Sequence, residues 1–211
     1  MFSFILDFLF PPQCLGCKKE GIYLCFLCLH NIPKRKTSVV EKDIYGIYSY
    51  KEPLIKKSLW CLKFKGIKKI GEVFGKVLYE KALTLIQGEE FVLVIPIPTT
   101  RKSFLKRGFN QSDILARALV KENPKQFCVV SNLLKKKYGV KKQTSLKTRN
   151  NRIKNMENSY LVSSQNIKEK TILLIDDITT TGATFREAQR VLKQYGAKNV
   201  YALAVAYQEL N

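Results

Sequence analysis

A single histidine serves all 211 residues, and acids are scarce, with 17 Asp and Glu against 37 Lys and Arg. Few histidines leave little room for nucleophile–base chemistry. His30 stands two residues after Cys28, and nothing in the local sequence gives it a carboxylate partner. No Cys–His or Ser–His pair is visible. The shortage of acids leaves a net charge of +20. Such an excess gathers anionic partners such as nucleic acid, nucleotides or phosphorylated sugars, although a lysine-rich surface alone also produces it. No run of 18 apolar residues exists, which excludes a spanning helix. The start, "MFSFILDFLFPP", is apolar but interrupted by Asp7, and it lacks both a basic leader and a small-residue cleavage site. It is not read as a signal peptide. It reads instead as a short amphipathic segment packed on the protein or resting on a membrane surface.

Cysteine is not scattered as in a secreted disulfide scaffold. Four of the six fall within 15 residues, Cys14, Cys17, Cys25 and Cys28. The spacing C-x2-C-x7-C-x2-C places four thiolates around one tetrahedral Zn²⁺ with no open position, so the site is structural. Buried cysteines or an iron–sulfur cluster are the competing readings. Clustered cysteines without a disulfide framework point to a reducing, cytoplasmic setting.

Residues 1–36 form a first unit, closed by the linker-like "NIPKRK", and 37–211 a second. The aromatic, β-branched run 44–50 reads as a strand. Apolar spacing predicts helices over 53–64 and from about residue 70 to 85. "FVLVIPIP" (91–98), "FCVV" (127–130), "TILLI" (171–175) and "VYALAVA" (200–206) read as strands. Ser112 is placed to cap one helix, and another begins near Thr184. Strands alternating with helices predict an α/β fold, a mostly parallel sheet flanked by helices. Between Leu134 and Lys154 lie nine basic residues and no acid, which we read as a long surface excursion.

The stretch "TILLIDDITTTGAT" (171–184) carries the chemistry. A loop at the carboxyl end of a parallel strand is where open α/β sheets bind ligands. Backbone N–H groups and hydroxyls of Thr180, Thr181, Gly182, Ala183 and Thr184, at a helix start, suit a phosphate. Asp176 and Asp177 suit the opposite, hydroxyl donors or a divalent metal. Ribose 5-phosphate satisfies both halves. The plainer reading, an acid capping a turn, needs one carboxylate and not two.

"ILLIDDITTTGAT" resembles the phosphoribosyl-diphosphate (PRPP) motif of type I phosphoribosyltransferases. Together with "VIPIPTTRKSFLKRGFNQSDILARAL", a degenerate "QTSLKTRNNRIKN" and the double CxxC, the chain resembles the ComF family of competence-associated, phosphoribosyltransferase-like proteins. The resemblance implies that Asp176 and Asp177 hold ribose hydroxyls with Mg²⁺ nearby, and that 180–184 cradle the 5-phosphate. It implies that Pro98 and Thr99 belong to a pyrophosphate loop, that Arg101 faces the diphosphate, and that Arg107 stands on the loop over the site. Thr179 departs from the family, where an aliphatic residue is more common. Implied partners are PRPP, single-stranded DNA and the uptake helicase, with peripheral contact at the inner membrane. Two function classes follow: a transferase acting from PRPP, including a salvage enzyme for nucleobases or amines, and a catalytically silent PRPP sensor or DNA-binding accessory. Tyr138 and Tyr160, beside basic residues, offer rings on which bases could stack.

Overall fold

The most aliphatic runs of the chain become its innermost strands. The structure, a computed structural model, describes residues 11–33, 39–137, 159–163 and 167–208. Eight strands are present among these residues: β1 (Val39–Glu41), β2 (Ile44–Ser49), β3 (Val92–Pro96), β4 (Phe127–Val129), β5 (Leu134–Lys136), β6 (Tyr160–Val162), β7 (Thr171–Thr179) and β8 (Asn199–Tyr207). Six form one sheet in the order β1-β2-β8-β7-β3-β4. Every pairing in it is parallel except the β1–β2 edge. β7 and β8 lie at its centre, covered on both faces, as their unbroken apolar runs require.

Six helices complete the described fold: α1 (Phe26–His30), α2 (Pro53–Phe64), α3 (Lys68–Leu85), α4 (Arg101–Arg107), α5 (Gln111–Glu122) and α6 (Ala183–Gln194). Alternate residues of β7 face opposite layers. Leu173 and Ile175 pack with Ile55 and Leu59 of α2, Phe74 of α3 and Leu115 of α5. Ile172 and Leu174 pack with Phe185, Val191 and Leu192 of α6. The expected mostly parallel sheet with helices on both faces is therefore the observed one.

Two features place the site. α3 meets α5 at small residues: a Cβ on Gly75 would lie 2.4 Å from the Ala118 Cβ, and one on Gly71 would lie 2.6 Å from Ile114. That close approach fixes the position of the α5 N-terminus. The cysteine segment, in turn, is not set apart from the sheet. Leu24, Leu29 and Ile32 share a core with Ile55 and Leu59, and the Tyr48 hydroxyl donates to the Leu29 carbonyl at 3.4 Å.

Several expectations are corrected. The strand expected to stop at Ile175 runs on to Thr179, because the ladder with β8 continues through Asp176↔Ala204 and Thr179↔Tyr207. The helix expected to be capped by Ser112 is capped by Asn110, whose side chain accepts from the Ser112 N–H. The expected excursion 134–154 opens with β5, paired antiparallel to β6. Most of that excursion, with the 143–155 segment and Tyr138, lies outside the described residues.

Candidate functional site

β3 and β7 are neighbours, yet their connections leave in opposite directions. β3 leads through α4 and α5 to β4 at the sheet edge, whereas β7 leads through α6 to β8 on the other side. Such a switch point is where open α/β sheets place their ligand crevice. The 97–100 loop lines one side and the 176–184 segment the other. The Ile97 N–H donates to the Ile175 carbonyl at 2.9 Å, so the first loop starts in register with the acidic strand.

The 107–112 segment spans the crevice. Asn110 Nδ2 donates to the Ile97 carbonyl at 3.0 Å. Gln111 Nε2 donates to Asp177 Oδ1 at 3.4 Å, and Gln111 Oε1 accepts from Arg107 at 2.7 Å. Ser112 Oγ donates to Asp176 Oδ1 at 2.7 Å. Three consecutive side chains thus tie the 97–100 loop, Arg107 and both acids into one constellation.

The adjacent acids have different surroundings. Asp177 is buried, and Lys63 of α2 donates to its Oδ2 at 2.9 Å. Asp176 is partly exposed, accepting from Ser112 and from the Asp177 N–H at 2.8 Å. Burial and the charge of Asp177 push the Asp176 carboxyl up to about 7, against those two hydrogen bonds. Among the described residues no cation pairs with Asp176, whereas Asp177 has Lys63. Sequence reasoning missed Lys63, which lies 114 residues from its partner and carries no local mark.

Beyond the acids, Thr179 is a buried strand residue, and its carbonyl accepts from the Gln208 N–H at 2.8 Å. Thr180 and Thr184 are partly exposed. Thr181 is buried, and its hydroxyl accepts from the Ala183 N–H at 3.3 Å, so that N–H has a partner within the loop. Gly182 takes the left-handed conformation at φ 72° as the α6 N-cap. Across the crevice Pro98 and Thr99 are partly exposed, and Arg101 is exposed on the first turn of α4. Thr100 caps that turn by accepting from the Ser103 N–H. Tyr160, read as a stacking ring, is instead buried in the core between β6 and α6.

The four cysteines converge, with sulfurs all within 4.8 Å of one another. Cys14 to Cys28 is 3.9 Å and Cys17 to Cys25 is 3.8 Å. Zn–S bonds of about 2.3 Å in a tetrahedron put sulfurs about 3.8 Å apart, so the spacing fits zinc. Backbone N–H groups of Cys25 and Cys28 donate to the sulfurs of Cys14 and Cys25, both at 3.3 Å. A Cβ on Gly16 would sit 2.7 Å from the Cys28 sulfur, so the knuckle needs glycine. Without a cation, four thiols cannot all ionise. Burial of Cys14 is outweighed by N–H donors that bring it to about 6, while the bond to Cys25, burial and the other sulfurs push Cys28 up to about 12. A divalent ion removes that conflict.

The family model described as the phosphoribosyl transferase domain matches residues 67–209. Competence protein ComFC of Bacillus subtilis is 27% identical over 216 residues, covering 90% of this chain and 82% of its own. Competence protein F of Haemophilus influenzae is 26% identical, covering 92% of this chain and 84% of its own. The chain belongs to the ComF family. This ComF protein carries its acidic pair on the central strand β7. A solved hypoxanthine phosphoribosyltransferase from Staphylococcus aureus overlays 68% of the ComF chain and 75% of its own, with a TM-score of 0.43 at 14% identity. No helix among the described residues is long and apolar enough to cross a membrane.

Proposed function

We propose that the chain binds Mg²⁺·PRPP in the crevice between β3 and β7 and serves DNA uptake from the cytoplasmic side of the membrane. The observation that carries PRPP is the constellation across the crevice. Asn110, Gln111 and Ser112 join a loop suited to a diphosphate to an acid suited to ribose hydroxyls. In this reading Asp176 accepts from the ribose hydroxyls. Asp177, held by Lys63, fixes Gln111 and through it Arg107. Thr180 to Thr184 cradle the 5-phosphate, with Gly182 giving the ligand close access. Pro98, Thr99, Arg101 and Arg107 face the diphosphate. Mg²⁺ bound with the diphosphate would neutralise charge on that group. The DNA-uptake role rests on the competence proteins to which the chain is similar.

As a transferase, the site would let a nitrogen nucleophile attack C1 of the ribose as pyrophosphate leaves. Arg101, Arg107 and loop N–H groups would stabilise the developing charge on the leaving group. As a sensor, the same residues would bind PRPP without breaking the C1 bond. Pyrophosphate release separates the two. Turnover with a nitrogenous acceptor, lost in Asp176→Ala, supports transfer. PRPP binding without release under any acceptor supports sensing, and absence of PRPP binding refutes both.

A further inference from the structure

We propose that the rim beside the crevice, formed by the end of α2, the turn into α3 and the 104–109 segment, is a stacking platform for single-stranded nucleic acid, with Trp60 and Phe64 as its ring surfaces. α2 spends Ile55, Leu59, Cys61 and Leu62 on the core. Trp60 and Phe64 point outward, 49% and 56% exposed, with ring centroids 6.0 Å apart. Two large aromatics side by side on a surface mark an interaction site. Each has a cation over its ring: Lys65 at 5.6 Å from Trp60 and Arg107 at 5.6 Å from Phe64. The pattern continues at the turn, where Lys68 lies 5.9 Å from the ring of Phe109.

Charge decides the kind of partner. Six lysines and no acid lie between Pro53 and Gly71, and four cations and no acid between Thr99 and Ser112. A polyanion whose backbone meets lysines while its flat rings meet aromatics is a single strand of nucleic acid. A duplex hides its base faces and presents only phosphates to such a surface. α2 turns Lys56 and Lys57 outward beside the two rings, and the 104–109 segment adds exposed Phe104 and Leu105. A lipid surface is therefore the competing partner, and the vesicle titration tests it. This rests on the DNA-handling half of the proposed function, and it shares Arg107, which lies over Phe64, with the PRPP reading.

Trp60 is the only tryptophan in the chain, so its emission reports directly on the platform. The full chain is titrated with a dT oligonucleotide of about 16 nucleotides, a length matched to single-strand sites. Trp60 fluorescence and the anisotropy of a labelled strand are both followed. Saturable quenching that tracks the anisotropy is expected. Trp60→Ala with Phe64→Ala should weaken binding at least about tenfold, and Trp60→Phe should keep most of it. An abasic strand of equal length should bind as weakly as the alanine pair allows. Three results overturn the proposal: strand binding with Trp60 emission unmoved, equal affinity for the abasic strand, or a Trp60 blue shift on phosphatidylglycerol vesicles with no response to dT. PRPP calorimetry on Trp60→Ala alone should match the wild type, since Arg107 lies over Phe64 and Lys65 over Trp60. Wild-type protein that binds dT as expected but no PRPP would refute the PRPP reading and leave the platform standing.

Discussion

Asp176 is a carboxylate placed where its charge is expensive. The ordinary value is 3.8 and the folded one about 7, so between them the folded chain keeps a proton that the unfolded chain has lost. Stability should therefore fall as pH rises from about 4 to about 7. Asp176→Asn should remove that component in thermal melts across pH, and a variant as pH-dependent as the wild type would contradict it. Ribose hydroxyls favour the ionised form, so PRPP affinity should rise through about pH 7 by more than it does in the Asn variant. Asp177, in turn, is held by Lys63 at 2.9 Å. Lys63→Met leaves a buried charge unpaired and should cost about 2 kcal/mol, or roughly 4–8 °C in Tm. Adding Asp177→Leu should restore most of it in a double-mutant cycle. The sequence shows two neighbouring acids but not their unlike surroundings, because strand alternation and a partner on α2 determine those.

Among the elements, β1, β5 and β6, three residues each, are too short to show in the sequence. By contrast, β2, β3, β4, β7 and β8 were legible from their apolar runs and the long helices from periodicity, and α2 fills the expected span 53–64. α4 was not. It has only seven residues and none of them is buried, so it carries no apolar period. Ser112 was misread as a cap because Asn110, two residues earlier, does that work and frees the Ser112 hydroxyl for Asp176. The α3–α5 contact also escapes sequence reading, since glycine in a helix is ambiguous until its neighbour is known. Gly75→Val should force these helices apart and cost about 2 kcal/mol by overpacking. Thermal melting checks the loss. Because α5 delivers Gln111 and Ser112, PRPP affinity should fall with it.

At the scale of the molecule, the cysteine segment and the sheet share one core through Leu24, Leu29 and Ile32. The spacing of the cysteines was plain in the sequence, but that continuity was not. It follows that zinc removal should be felt beyond the knuckles. One zinc per chain is expected by elemental analysis, and Cys14→Ser with Cys17→Ser should lose it and lower Tm. Unchanged metal content would refute the zinc assignment.

The central claim is that one crevice holds both the ribose and the diphosphate of a single ligand. Isothermal titration with Mg²⁺ present tests it, comparing PRPP, ribose 5-phosphate and pyrophosphate on wild type and Asp176→Ala. PRPP should bind at least about tenfold tighter than either fragment. Asp176→Ala should lose that advantage while retaining pyrophosphate. No PRPP binding, or equal PRPP affinity in the two proteins, would contradict the account.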